Sequence, residues 1–294
     1  MKEDVYLIDA SIYIFKSYFS YGDEFVAANG TPINAVYGFT RFLTQFIHQT
    51  KAKHIACCFD ESLDSSFRNE IYPDYKANRE PAPPDLKRQF KLCQEVANIM
   101  GVATFRDGYY EADDLIGTLA KHYQNLNQPV HIISADKDLA QLIGQEDKWW
   151  NYGKAAPFSP QDIYEKFGVH PHQIADFLAL TGDSVDNIPG VPGVGAKTAS
   201  LLLNHFKSLD EIISRNQEIR YLSFRGAKSC QKKIENNVTA AKLAKKLTLI
   251  KQDIELDSFD LSRNKLDLSR TEKLFEYLNF GPLLRRKILE IEHI

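Results

Sequence analysis

Three short β-rich runs, VYLID (5–9), HIACCFD (54–60) and HIISADKD (131–138), each end in aspartate, and this pattern constrains the fold more than any other in the chain. Near-continuous apolar runs of this length read as strands buried on both faces, which calls for a parallel sheet covered by helices. A doubly wound sheet gathers the carboxyl ends of its strands along one edge, where ligands bind. Strand-end acids far apart in sequence therefore become neighbours. Nine carboxylates, Asp9, Asp60, Glu111, Asp113, Asp114, Asp136, Asp138, Asp183 and Asp186, sit at or just past the end of an apolar run or at a helix start. Massed carboxylates repel and raise one another's pKa values. Hard divalent cations relieve that cost, and an all-oxygen donor set favours Mg²⁺, Mn²⁺ or Ca²⁺ over zinc.

A chain of 294 residues exceeds the usual single-domain size and predicts two domains. Hydrophobic content of 44% with 26% charged residues is that of a soluble globular protein. The N-terminal MKEDVYLIDASIY lacks a signal-peptide layout, and no stretch approaches the roughly 18 apolar residues of a membrane span. A cytoplasmic protein without membrane attachment is expected. Cys57 and Cys58 are adjacent in a strand and Cys93 and Cys230 stand alone, so no zinc spacing appears and reduced, buried thiols are expected. The formal charge of −3 by itself argues against a nucleic-acid partner. Its distribution argues otherwise: between Arg225 and Lys251 eight basic residues face Glu235 alone.

Strands expected at about 4–9, 54–60, 102–106 and 130–135 alternate with helical patterns at about 34–50, 84–99 and 111–124, giving an α/β domain with a mainly parallel sheet and flanking helices. After the second strand comes SSFRNEIYPDYKANREPAPPDLKRQ, rich in Arg, Lys, Tyr and Pro, in which Pro81, Pro83 and Pro84 stop any continuous helix. It reads as a basic, mobile excursion above the sheet edge carrying Arg68, Tyr72, Tyr75, Lys76, Arg79, Lys87 and Arg88, suited to phosphate and base contacts; a solvated loop with incidental charge is the plain alternative. A small strand follows at WWNYG (149–153), and the chain reads as helical from about 160 to its end. The expected division is an α/β domain over 1–160, including the basic arch 68–90, and a helical domain over 161–294. In FLALTGDSVDNIPGVPGVGAKTASLLLNHF (177–206) a helix ends in TGD and a Gly/Pro loop leads to a second helix opening at Ala196 or Lys197. Such a hairpin can point backbone N–H groups and a helix N-terminus at one phosphate, although glycine loops often serve as turns alone. Lys197 and Thr198 at the helix start strengthen the phosphate reading. Leu274, Phe275, Leu278, Leu283, Leu284 and Ile288, at helical spacing, are expected to be core.

YYEADDLIGTLAKHY (109–123) is a packed helix whose first turn holds Glu111, Asp113 and Asp114. First-turn acids commonly complement the helix dipole, but three acids in four residues exceed what capping needs. SADKDLAQL (134–142) sets Asp136 and Asp138 at a strand-to-helix turn, where one could cap the helix and the other is left for another task. Asp183 and Asp186 stand at a helix end, where acids oppose the dipole. Asp9 and Asp60 gain their force from the ensemble.

LIDASIYIFKSYF, NAVYGFTRFL, FRNEIYPDYKANREPAP, EADDLIGTLA, ISADKDLAQLI, LTGDSVDNIPGVPGVGAKTA and RGAKSCQKKIENN resemble, in order and spacing, the bacterial 5′-nuclease (flap endonuclease) family, which includes the N-terminal 5′→3′ exonuclease domain of DNA polymerase I. The resemblance runs from about residue 5 to 290. It implies a PIN-like 5′-nuclease core followed by a helical domain with a helix-hairpin-helix over 177–206. No polymerase or proofreading sequence follows, so a free-standing nuclease is expected. The family's acidic cluster matches all nine carboxylates. Its helical arch, which receives a single-stranded 5′ end, matches the Tyr72–Arg88 region, with Tyr75, Lys76 and Arg79 at DNA-contacting positions. Its hairpin grips the duplex backbone, often with a monovalent ion such as K⁺. Two departures stand out: the family's Asp-Gly after the first strand is Asp9-Ala10, and its following Arg is Lys16, which lacks the bidentate phosphate grip of Arg. Neither removes a metal ligand.

The resemblance implies 5′→3′ exonuclease and flap endonuclease activity, hydrolysing phosphodiesters of branched DNA with two or more Mg²⁺ ions, Mn²⁺ being a substitute. Glu111, Asp113 and Asp60, with Asp9, are expected to hold the first ion, and Asp136, Asp138, Asp183 and Asp186 the second. Lys76 and Arg79, with Asp113, form the expected catalytic set. Lys16, Arg68, Tyr75, Gly190, Gly193, Gly195, Lys197, Thr198 and Lys228 complete the expected DNA contacts, made by a monomer. A catalytically idle branched-DNA clamp would have lost acids, and none is lost. A small α/β metal ribonuclease would lack the helical domain and the glycine hairpin.

Overall fold

The computed structural model describes residues 2–61 and 66–294; Ser65, which heads the expected basic excursion, lies outside the described residues. In chain order the first elements are β1 (Val5–Asp9), α1 (Ala10–Ser20), α2 (Asn34–Thr50), β2 (His54–Asp60), α3 (Phe67–Ile71), α4 (Pro84–Ile99), β3 (Ala103–Asp107), α5 (Ala112–Asn125) and β4 (Val130–Ile133). Then come β5 (Lys148–Trp150), α6 (Pro160–Phe167), α7 (Ile174–Thr181), α8 (Ala196–Phe206), α9 (Leu209–Ser214), α10 (Ala227–Asn236), α11 (Val238–Thr248), α12 (Leu268–Leu278) and α13 (Pro282–Glu290). The chain forms two compact units, the first from 1–64, 81–135 and 251–294, the second from 65–80 and 136–250. This partition is not the linear one expected at 160/161, because the chain leaves the first unit and returns to it twice.

In the first unit four strands pair in parallel in the order β3-β2-β1-β4. β1, β2 and β4 are buried nearly throughout, whereas β3, at the edge, is only partly covered. That burial explains why the interior runs are continuously apolar and the edge run, ATFRD, is mixed. Strand order reverses between β1 and β4, and in register Asp9 lies opposite Cys58 while Ile8 lies opposite Ile133. The strand ends therefore open at a topological switch point. Phe39, Leu43, Phe46 and Ile47 of α2 are fully buried with Leu7, Ile8, Ile55 and Phe59 of the sheet; each such side chain contributes about 1.5–3 kcal/mol on burial. α2 has no capping side chain of its own. Gln89 of α4, fully buried, accepts the Ala35 and Val36 amides at 2.8 and 3.2 Å instead.

Helix does not continue to the end of the chain as expected. Residues 251–266 run as an extended ribbon along the first unit, with Leu261 O accepting the Ile55 amide at 2.9 Å and Lys53 O accepting the Arg263 amide at 2.7 Å. The segment IELDSFDLSRNKL spaces its apolar residues irregularly, which suits a strip fixed by backbone bonds rather than a helix. Gly101, at φ +75°, lets Asn264 come close; a Cβ there would stand 1.9 Å from Asn264 O.

The second unit is helical apart from β5. Ser159 caps α6, accepting the Asp162 amide at 3.2 Å, and Gly168 ends the helix in the left-handed region. α7 and α8 form the hairpin expected over 177–206, α8 opening at Ala196 after Gly195. No helix among the described residues is long and apolar enough to cross a membrane.

Candidate active site and nucleic-acid interface

Five of the nine acids, Asp9, Asp60, Glu111, Asp113 and Asp114, belong to the first unit, and Asp136, Asp138, Asp183 and Asp186 to the second. In the first unit the strand ends set the geometry. Asp9 caps α1, accepting the Ile12 amide at 3.4 Å on Oδ1 and the Ser134 hydroxyl at 2.8 Å on Oδ2. Asp60 Oδ1 accepts the Ala112 amide at 2.9 Å, joining the end of β2 to the first turn of α5, and its own amide donates to Ser11 Oγ at 3.1 Å. Burial pushes the Cys58 thiol far above its ordinary pKa, with Cys57 and then the negative charges of Asp9, Asp113 and Asp60 adding to the shift. The negative charges of these three carboxylates are thus all felt at one buried sulfur. Glu111, like Asp113, is half-buried at the start of α5.

Asp114 has a different task from the one expected. It is fully buried, with Oδ1 accepting the Lys251 amide at 2.9 Å and Oδ2 the Glu111 amide at 3.2 Å. These bonds tie the extended ribbon to the start of α5.

In the second unit, Asp136 Oδ1 accepts the Asp138 amide at 2.9 Å. Burial raises the Asp136 pKa, the charge of Asp186 adding to it, and burial with the charge of Asp136 pushes Asp138 up to about 8. Asp138 Oδ1 is buried and accepts no hydrogen bond. Lys137 supplies the compensating charge, bonding to Asp183 with Nζ 3.5 Å from Asp138 Oδ1. Burial opposes its ammonium form, but Asp138, Asp183 and Asp136 outweigh that and raise its pKa. Asp183 lies in a tight loop bridged to Ile188, with Asn187 in the left-handed region at φ 55°.

Asp186 is clasped by the basic excursion: Arg79 bonds to it, Tyr75 donates its hydroxyl at 3.2 Å, and Lys76 Nζ stands 3.9 Å away. Backbone contacts reinforce the clasp, with Asp186 O accepting the Lys76 amide at 3.0 Å and Ser184 O accepting Asn78 Nδ2 at 2.8 Å. Residues 72–80 are therefore bonded to the 184–187 loop through both side chains and backbone. A carboxylate bearing two nearby cations holds them down. Arg68, expected on DNA, is 2% exposed and donates Nε to Leu247 O at 2.8 Å. It anchors α3 to the end of α11.

The hairpin separates its glycines by role. Gly182 and Gly190 pack backbone on backbone, and a Cβ on Gly190 would stand 2.3 Å from Gly182 N. Gly190, expected among the phosphate contacts, is thus a packing residue. Gly193, Gly195 and Lys197 are exposed, with Thr198 half-buried beside them at the N-terminus of α8. Lys233 Nζ donates to Gly193 O at 3.1 Å, linking the loop to α10, on which Lys228 is exposed. Lys16 is exposed on α1.

Among the described residues no three His, Cys, Asp or Glu side chains already stand in a metal-gripping arrangement. The donor chemistry nevertheless fits a hard divalent ion: the groups are all oxygen, and Asp138 Oδ1 is a buried acceptor with no hydrogen bond to lose. Ser11, Ser134 and Lys137 escaped the sequence reading. The alternating charge of DKD could have flagged Lys137, whereas the serines become visible only through strand register.

The carboxyl groups with raised pKa values give the EDTA-treated protein a defined pH response. Asp138 keeps its proton up to about pH 8 when folded but ionises near 4 when unfolded. Its contribution to stability is full below the unfolded value and is lost as pH rises through the folded one. Lowering the pH from 8 to 6 should raise the melting temperature by on the order of 5 °C, and saturating Mg²⁺ should flatten the dependence. A melting temperature that falls over this interval would contradict the assignment.

The description "5′-3′ exonuclease, N-terminal resolvase-like domain" matches residues 4–168, and "5′-3′ exonuclease, C-terminal SAM fold" matches residues 169–272. The chain belongs to the 5′-3′ exonuclease family. It is 33% identical to the 5′-3′ exonuclease of Buchnera aphidicola subsp. Schizaphis graminum (strain Sg), covering 95% of this chain and 98% of that one. It is 32% identical to DNA polymerase I of Bacillus caldotenax, where the match takes in 97% of this chain but 32% of the polymerase. Its fold matches that of the bacteriophage T5 D15 flap endonuclease in a pseudo-enzyme-product complex with DNA and metal ions, with a TM-score of 0.64 at 19% identity, covering 99% of this chain and 100% of that one. Membership of the exonuclease family accords with the α/β core and the helical hairpin unit described above.

Proposed function

We propose that this exonuclease-family chain is a structure-specific 5′ nuclease, acting as a cytoplasmic monomer on 5′ ends and 5′ flaps of branched DNA. The observation that carries the reading is an all-oxygen carboxylate group in each unit, accompanied in the second unit by a basic segment and an exposed phosphate-type hairpin. Asp9, Asp60, Glu111 and Asp113 would hold one Mg²⁺ ion, and Asp136, Asp138, Asp183 and Asp186 a second, with Mn²⁺ able to substitute. Bound divalent ions would supply an ionised water and charge neutralisation at the leaving 3′ oxygen.

The chain's own groups do the rest. Ser134 and the α1 amide fix the Asp9 carboxylate, and the α5 amide fixes Asp60, so these donors need little reorganisation. Lys76 and Arg79 orient the scissile phosphate and meet the negative charge that grows on it, while Tyr75 positions Asp186. Exposed backbone at Gly193 and Gly195, with Lys197, Thr198 and Lys228, grips duplex phosphates without regard to sequence, with K⁺ at the hairpin in the same reading and Lys16 as a further phosphate contact. The decisive assay sets labelled 5′-flap DNA beside matched RNA, each with and without Mg²⁺. Cleavage confined to the DNA junction and to Mg²⁺-containing reactions is expected, and metal-independent or RNA-directed cleavage would refute the reading. Lys76→Ala should slow single-turnover cleavage by on the order of a hundredfold while leaving flap affinity within a few-fold. An unchanged rate would remove the 72–80 segment from the chemistry.

A further inference from the structure

In the second unit the chain itself supplies cations to the oxygens that a divalent ion would need. Lys137 bonds to Asp183 Oδ2 and stands 3.5 Å from Asp138 Oδ1, the buried oxygen that accepts no hydrogen bond. Arg79 bonds to Asp186 Oδ1, and Tyr75 donates to Oδ2 of the same carboxylate at 3.2 Å. Lys137 is 39% exposed, while Asp183 and Asp138 beneath it are 6% and 11% exposed on their side chains. An ammonium group seated on the nearly buried Asp183 carboxylate interacts more strongly than a solvated surface pair. A divalent ion taking these oxygens as ligands competes with the ammonium and guanidinium groups for the same lone pairs and the same negative charge.

We propose that Lys137 and Arg79 are resident counter-cations of the Asp136–Asp138–Asp183–Asp186 quartet, which a divalent ion must displace to bind. Lys137 then sets the affinity of the quartet for the ion. Arg79, displaced from Asp186 by the same event, becomes available to a substrate phosphate, so ion binding primes the basic segment. This inference rests on the reading of the quartet as a divalent-ion site, and its test separates the two.

Full-length protein stripped with EDTA is titrated with Mn²⁺ by calorimetry, without DNA. Lys137→Met keeps the length of the side chain and removes its charge, and it should tighten the weaker Mn²⁺ step by on the order of tenfold. Lys137→Arg, which keeps the charge, should stay within about threefold of the wild type. In the wild-type protein, the ¹⁵N resonance of the Lys137 ammonium group, assigned by its loss in Lys137→Arg, should move towards that of a solvated lysine as Mn²⁺ is replaced by diamagnetic Mg²⁺ and titrated in. Unchanged or weaker Mn²⁺ binding by folded Lys137→Met would overturn the proposal. An ammonium resonance indifferent to Mg²⁺ would do the same should that variant not fold. Failure of the wild type to bind Mn²⁺ at all would instead remove the ion-site reading beneath it.

Discussion

Asp113→Asn and Asp136→Asn should each leave 5′-flap DNA bound but lower its Mg²⁺-dependent cleavage by on the order of a thousandfold or more. Each removes one charged oxygen donor while preserving shape, and neither position caps an element the fold depends on. Asp113 stands half-buried in the first turn of α5, whose capping is done by Asp60 and Asp114. Asp136 accepts the Asp138 amide through Oδ1, a bond that an asparagine carbonyl can keep. Burial already disfavours the charged form of Asp136, so neutralising it should leave the EDTA-treated protein as stable as the wild type or more so. Rate assays and thermal melts of the same preparations separate the two effects. Full activity in both variants would sink the assignment of these acids to metal binding. Asp114→Asn is the contrasting case: its oxygens serve the Lys251 and Glu111 amides, so stability should suffer first.

Gly182→Ala and Gly190→Ala should each destabilise the hairpin by roughly 3 kcal/mol or more. A Cβ on Gly182 would stand 2.6 Å from Gly190 N and 2.9 Å from Ile188 O, on a backbone at φ +76°. A Cβ on Gly190 would stand 2.4 Å from Thr181 C. Backbone atoms occupy both spaces, so no rotamer change relieves the overlap. The loop that carries Asp183 and Asp186 should distort with the hairpin, taking duplex binding and cleavage with it. Gly195→Ala provides the control, because nothing lies within 4 Å of its would-be Cβ. That variant should melt like the wild type yet bind duplex DNA more weakly if phosphates approach its backbone. Calorimetric melts and duplex titrations decide it, and a Gly190→Ala protein of wild-type stability would contradict the packing described here.

The elements were readable because their signals are local. The apolar strand runs, the Gln89-capped helix α2 and the α7–α8 hairpin appear within about three residues of their expected bounds. The ribbon over 251–266 was not readable, since its backbone partners Lys53, Ile55 and Gly101 lie 150 or more residues earlier in the sequence. Arg68 and Asp114 misled for a related reason: a charged residue in a charged neighbourhood looks functional until its burial and partners are known. Arg68 faces the carbonyl of Leu247, and Asp114 faces amides of Glu111 and Lys251.

By itself the sequence determined the parallel α/β core, the glycine hairpin and which residues carry negative charge at strand and helix ends, because spacing and residue type fix these within a few turns of chain. Tertiary structure alone decided how each charge is used. Strand register put Ser134 beside Asp9, backbone-to-backbone contact claimed Gly182 and Gly190 for packing, and Lys137, Lys76 and Arg79 met carboxylates 46 to more than 100 residues away or close by in sequence. Coulomb attraction and burial act through space, so the partners of a charge follow from the fold and not from its place along the chain.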